Sequence, residues 1–236
     1  RSSDLRSQFR RDVLERLTKF KPTVLNCFSI SKAKAAKYFA EQLNIPFLIT
    51  FNSHERHNIK DIVYSPNCMS LLALSANVTT GLKKKFNRFN GTIKQINAGT
   101  FVEDTSACFS TNHVTSMIVA QPFVNPDVFT SLLKAVRHIA IDGYDFVLVL
   151  IGKGPAERHI HKMIKTLGLG QVVTIVPEIQ PLRSIFAGAD IFIRPQSRPE
   201  FNPTLLEAMG VGMAVAACRD GADDFLKDKD TALYFD

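Results

Sequence analysis

The amino-acid sequence predicts an α/β protein built from two parallel-sheet domains. Three observations carry that expectation. Short apolar runs alternate with segments of helical period along nearly the whole chain, at the spacing of right-handed βαβ units. One run, Phe146–Ile151, is wholly apolar, as strands buried on both faces are. The alternation breaks once, over a polar stretch rich in small residues at about 97–115, and restarts at Ser116. The expected domains are residues 1–100 and 116–236, with 101–115 as linker. With 236 residues, 45% of them hydrophobic, the chain can bury one large core or two small ones.

The elements follow in order. Residues 4–20 place Leu5, Phe9, Val13, Leu14 and Leu17 at helical spacing. Lys21-Pro22 ends that helix, because proline disfavours the helical conformation in the residue before it. Thr23–Phe28 reads as a short buried strand. Lys32–Leu43 reads as a helix with Ala35, Ala36, Phe39 and Ala40 on one face, and Phe47–Phe51 as a strand. Residues 52–68 have no period and are expected to form a long loop. Ser70–Leu74 is the third strand. Ser75 caps a helix that runs to about Phe86, and Thr92–Ile96 is the fourth strand. Beyond the linker come strand Ser116–Ala120 and helix Pro126–Ile141, with proline where a missing N–H costs nothing. Strand Phe146–Ile151, helix Ala156–Leu167, strand Val172–Val176 and helix Pro181–Ala187 follow. Strand Ile191–Arg194, helix Pro203–Met213 and strand Ala214–Ala217 complete the pattern.

The net charge of +7 suits nucleic acid, an anionic membrane face or phosphorylated small molecules. No aromatic motif accompanies the one tight basic run, Lys83-Lys84-Lys85, so nucleic-acid binding is not expected. Lys32, Lys34 and Lys37 give the second helix a basic face, which is either an ordinary solvated surface or a peripheral membrane contact. Cys27, Cys68, Cys108 and Cys218 form no CxxC pair, which argues against a zinc or redox centre. Cys27 and Cys218 are expected to be small buried residues. His159 and His161 lie two apart on a helix and face different ways, and Asp220, Asp223 and Asp224 read as a solvated loop. No metal and no cofactor are expected. The chain opens Arg-Ser-Ser-Asp-Leu-Arg without an apolar leader, and no apolar run is long enough to span a bilayer. The expected location is cytoplasmic; a plain solvated face is the favoured reading of the basic helix, with a peripheral membrane contact as the alternative.

Two motifs carry chemistry. Ile151-Gly152-Lys153-Gly154-Pro155 lies between a strand and a helix. Gly152 and Gly154 there allow the backbone close to a ligand, and the helix offers free N–H groups. A plain strand-to-helix turn is the alternative. The second motif runs from Arg198 to Met209, after strand Ile191–Arg194, at a strand's carboxyl end where ligands bind in open α/β sheets. Pro203 suits the first helical position. The N–H groups of Thr204 and Leu205 then face an anion, with the helix dipole assisting. Glu207, one turn in, can accept two hydrogen bonds from a ribose diol. The alternative is a solvated Glu on an ordinary helix, which the following Gly210 and Gly212 disfavour.

The stretch Leu148 to Phe235 resembles the retaining glycosyltransferases of family 4, of the GT-B fold. The matching pieces, in order, are Ile151-Gly-Lys-Gly-Pro155, Leu167-Gly-Leu169, Ala187-Gly-Ala-Asp190, Leu205-Leu-Glu-Ala-Met209 with Gly212, and Thr231-Ala-Leu233. The first half is similar to the later part of the partner domain through Lys21-Pro-Thr-Val24, Asn44 to Thr50 and Ser70 to Ser75. The resemblance implies two Rossmann-like domains facing each other across a cleft, and further chain at both ends. It implies a sugar transferred with retention from a nucleoside diphosphate donor to a glycan, lipid or protein acceptor, without a metal. Val176, Pro177 and Glu178 would line the base, the Thr204 and Leu205 N–H groups would hold the diphosphate, and Gly152, Gly154, Asn202 and Pro203 would also meet the donor. Glu207 would hold the ribose and Glu200 the sugar hydroxyls.

The chain departs from the family's pattern in three places. The family has Gly-Arg and a nearby Lys after the first strand of the second domain. Here Gln121 takes the Arg position, and Asn125-Pro126 stands where the Lys would be. Glu200 and Glu207 are separated by six residues rather than seven. Asn52 replaces a His, with His54 two residues on. Gln121, Lys153 and Arg198 are the candidate phosphate contacts, with Arg194 a further cation. The departures leave a second reading open: a catalytically degenerate relative that serves as a binding or partner subunit.

Overall fold

The computed structural model describes residues 2–53, 59–102, 113–196, 201–219 and 224–235, with residues 2–7 as backbone alone. The chain divides into two units, residues 1–98 with 199–201 and residues 99–198 with 202–236. Each unit carries its own parallel sheet. Residues 103–112 of the expected linker lie outside the described residues.

Unit 1 contains α1 (Ser2–Phe20), β1 (Leu25–Cys27), α2 (Ala33–Leu43), β2 (Phe47–Phe51), α3 (Lys60–Val63), β3 (Cys68–Ala73), α4 (Ala76–Lys85) and β4 (Thr92–Gln95). The sheet order is β1-β2-β3-β4, all parallel. The core gathers on β2 and β3, where Phe47, Ile49, Phe51, Leu71 and Ala73 are buried. Val78 and Leu82, one turn apart on α4, close it from one side together with Phe86. Ala33 and Ala40 of α2 are buried, and their small side chains let the helix lie close to the sheet. Asn44 ends α2 in the left-handed conformation (φ 51°) and donates its N–H back to Ala40 and Glu41, a stop that asparagine tolerates. Ser75 caps α4 as expected, its Oγ accepting from the Val78 N–H at 3.3 Å.

The loop expected over 52–68 is corrected in part. It contains α3, whose four residues are too few to show a helical period. Residues 54–58, His54 among them, lie outside the described residues.

Unit 2 contains β5 (Thr115–Ala120), α5 (Pro126–Ile141), β6 (Phe146–Ile151), α6 (Glu157–Thr166), β7 (Val173–Val176), α7 (Arg183–Phe186), β8 (Ile191–Arg194), α8 (Pro203–Gly210), β9 (Ala214–Cys218) and β10 (Leu233–Phe235). The order is β10-β9-β8-β5-β6-β7. The chain therefore winds one way from β5 to β7 and the other way from β8 to β10. The reversal falls between β5 and β8, and the crevice at such a switch point is where open α/β sheets bind ligands. Side-chain alternation along β5 feeds two cores. Met117 and Val119 pack with Phe129, Leu133, Leu148 and Ile160, whereas Ile118 packs with Phe186, Phe192, Leu205 and Val215.

Asp190 ties the two strands that flank the switch point. Its carboxylate accepts from the Ser116 N–H at 2.7 Å and the Ser116 hydroxyl at 2.8 Å, and His113 Nε2 lies 2.9 Å from both its oxygens. Burial opposes ionisation of this group, yet the Ser116 and His113 hydrogen bonds together hold it below the ordinary aspartate value.

Four details of unit 2 differ from expectation. Val147 is 40% exposed although β6 is wholly apolar, so that strand is not fully covered. α8 stops at Gly210 rather than Met213, because Gly212 turns into the left-handed region (φ 91°). β10, three residues long, has too little sequence to signal itself. Cys218 is half-buried, whereas Cys27 is buried as expected.

Candidate functional site

A cleft of about 270 Å³ opens in unit 2, lined by Ala120, Gln121, Pro122, Ile151, Gly152, Lys153, Glu178, Leu182 and Thr204. Its position follows from the sheet. Ala120 and Ile151 are paired at the ends of β5 and β6, and Ile151 pairs with Val176 at the end of β7. The segments that leave these strand ends form the floor and one wall. Leu182, just before α7, and Thr204, in the first turn of α8, form the other.

The glycine turn is present, but its glycines answer to a different constraint. A Cβ on Gly152 would collide with the Gln121 carbonyl, and one on Gly154 with the Phe123 backbone. Both residues also have positive φ, 155° and 158°. The turn is laced to the segment after β5: Gln121 N–H donates to Ile151 O (3.1 Å), Phe123 N–H to Lys153 O (3.0 Å) and Ala156 N–H to Phe123 O (2.9 Å). The Gly152 N–H is itself given to Val176 O at 3.1 Å. The close approach that needs glycine is thus backbone to backbone within the protein, and it fixes Gln121 and Lys153 on the rim.

The second motif begins a helix where expected. Asn202 is the cap residue and Pro203 the first helical residue, and Asn202 Oδ1 accepts from the Thr204 N–H at 3.0 Å. This corrects one expectation: the Thr204 N–H is engaged by the cap and reaches an anion only by exchanging Asn202 for it. Thr204 still lines the cleft. The Leu205 side chain is wholly buried in the core, so only its backbone can serve a ligand. Glu207 lies half-buried on the second turn of α8 and does not line this cleft. Of Val176, Pro177 and Glu178, only Glu178 lines it. Arg198 and Glu200 lie outside the described residues.

Among the described lining residues, Lys153 is the one cation and Glu178 the one carboxylate. Gln121, half-buried, brings an amide without net charge. Arg194, 3% exposed, ends β8. Its row in the sheet is that of Ala120, by extension of the Met117–Ile191 and Ile118–Phe192 pairs. Sequence reasoning missed Leu182 and Arg183. Leu182 carries no signal beyond being apolar. Arg183, beside it, has its Nε and Nη2 buried without hydrogen-bond partners, which is uncommon for a guanidinium. Among the described residues no group of three or more His, Cys, Asp or Glu is arranged to hold a metal ion.

A doubly wound sheet with a crevice at its switch point defines the class of α/β domains that bind nucleotides and related ligands. The chain belongs to the family described as group 1 glycosyl transferases, whose model matches residues 116–236, a little over half of the chain. No curated protein matches. Among solved structures, the chain is similar to a glycosyltransferase from Rickettsia africae, with TM-score 0.75 at 16% identity, covering 95% of this chain and 65% of that one. It is similar to the sucrose-phosphate synthase of Thermosynechococcus elongatus, with TM-score 0.75 at 18% identity, covering 97% and 64%. It is also similar to Anabaena Alr3699/HepE in complex with UDP-glucose, with TM-score 0.74 at 14% identity, covering 96% and 67%. The chain thus spans 64–67% of the length of these proteins. At such identities the likeness shows the fold, the GT-B α/β architecture with parallel sheets.

Proposed function

We propose that unit 2 holds the nucleoside diphosphate part of a sugar donor and that the protein transfers the sugar to an acceptor with retention of anomeric configuration. The observation that carries this reading is the cleft itself, seated at the switch point of a group 1 glycosyl transferase domain. The relative Alr3699/HepE was solved with UDP-glucose, which supports a donor of this class. Glu178 and Leu182 line the base, and Glu207, on α8 outside this cleft's lining, meets the ribose hydroxyls where the donor extends past the cleft along that helix. Lys153, Gln121 and the first turn of α8 face the diphosphate, and Glu200 meets the sugar. The leaving phosphate assists the incoming acceptor hydroxyl, so no side chain is assigned as general base.

Among the described residues lining the cleft Lys153 is the one cation, and Gln121 stands in place of arginine; both favour a second reading, a catalytically degenerate relative that serves as a partner subunit and holds no nucleotide. Calorimetric titration of the full chain with UDP and with GDP separates the two. Donor binding predicts saturation by one nucleotide with a Kd of about 0.1–1 mM, weakened more by Glu207→Gln than by Glu200→Gln. No heat from either nucleotide at ~5 mM would leave the second reading.

A further inference from the structure

In unit 1 the start of α3, the end of α4 and the turn into β4 enclose a basin of about 460 Å³, lined by Lys60, Tyr64, Lys85, Asn87 and Arg88. Three of these five are cationic and the other two carry neutral donors. Among the described residues no carboxylate lines it. Lys85 is half-buried. Its ammonium is pushed below the ordinary lysine value, first by desolvation and then by repulsion from Lys60. Gathering like charges around one concavity costs the folded state electrostatic energy. Lysines in the last turn of α4 complement the helix dipole, which accounts for Lys83 and Lys84. It does not account for Lys60 and Arg88, which come to the same basin from two other segments.

We propose that this basin is an anion site for a small phosphorylated molecule. Arg88 offers a two-pronged fork to phosphate oxygens, Lys60 and Lys85 act as point charges, and Tyr64 and Asn87 complete the donor set. Concavity favours a small ligand over a bilayer, which a basic amphipathic face meets in the plane of the membrane. The bound anion relieves the repulsion between Lys60 and Lys85. The inference uses residues of unit 1 alone and does not depend on glycosyl transfer.

The test is titration of the full chain with inorganic phosphate and with glucose 6-phosphate at low salt. Lysine side-chain NMR reads the Lys85 ammonium in parallel. We expect saturable binding of both probes and a rise in the Lys85 titration midpoint when phosphate is bound. Lys60 and Arg88 are exposed, so the K60Q/R88Q variant keeps its fold, checked by an unchanged thermal melt, and weakens phosphate by about tenfold or more. The K83Q/K84Q variant removes the same charge nearby and changes affinity by less than about twofold. K134Q, at an exposed lysine of the other unit, leaves it unchanged. Four results would overturn the proposal. One is no saturation by ~10 mM phosphate. Another is equal loss in K83Q/K84Q and K60Q/R88Q. The third is loss in K153Q with none in K60Q/R88Q. The last is binding to phosphatidylglycerol vesicles with none to either small phosphate.

Discussion

At the scale of single residues, the proposed donor site must neutralise a diphosphate beside Gln121. A guanidinium makes two directed bonds to phosphate and keeps its charge, whereas an amide donates without charge. The α8 N-terminus supplies only about half a positive charge, and its Thr204 N–H is already given to Asn202. Among the described residues lining the cleft, Lys153 is the one cation and Glu178 the one carboxylate. Gln121→Arg should therefore tighten UDP or GDP binding by about tenfold, more at low salt than at high salt. Calorimetry at two ionic strengths checks this. Tight wild-type binding with no gain from the arginine would mean that Arg194, Arg183 or another cation has taken over the lost role.

Between elements, the contact that fixes the switch point is Asp190, which joins the start of β5 to the start of β8 through Ser116 and His113. Removing the carboxylate's charge weakens two Ser116 bonds and the His113 pair, for a cost of about 2 kcal/mol. In a domain of this size, that lowers Tm by about 4–8 °C. The Asp190 carboxyl titrates below its ordinary value when folded. The stability it contributes is therefore complete above the ordinary aspartate range and is lost as pH falls through the folded value. Melting curves from pH 7 down to pH 3 should show wild type and Asp190→Asn converging in acid. Parallel curves throughout would place the stabilisation elsewhere.

Over the whole molecule, the sequence disclosed the architecture better than the chemistry. Strand–helix alternation marked both sheets, and β2, α5, β6 and β8 begin and end where their apolar patterns do. The misses share a cause. α3 and β10 are held by tertiary contacts and strand pairing over too few residues to leave a period. The site was legible as two motifs, since a glycine turn after a strand and an Asn-Pro helix start are local features. Which donors those motifs leave for a ligand was not legible. Asn-Pro-Thr reads equally as a cap and as an anion cradle, and only the Asn202–Thr204 bond distinguishes them. The glycines likewise read as room for phosphate, while the space at Gly152 and Gly154 belongs to Gln121 and Phe123.

The proposed function requires the cleft at the switch point of unit 2 to receive the donor nucleotide. Backbone amide shift mapping of the isotopically labelled chain during titration with UDP tests it most directly. Saturable shifts are expected at Gln121, Gly152, Lys153, Glu178 and Thr204, with the largest change at Thr204 as its N–H exchanges Asn202 for phosphate. Shifts confined to residues outside this set, or none at saturating UDP, would contradict it.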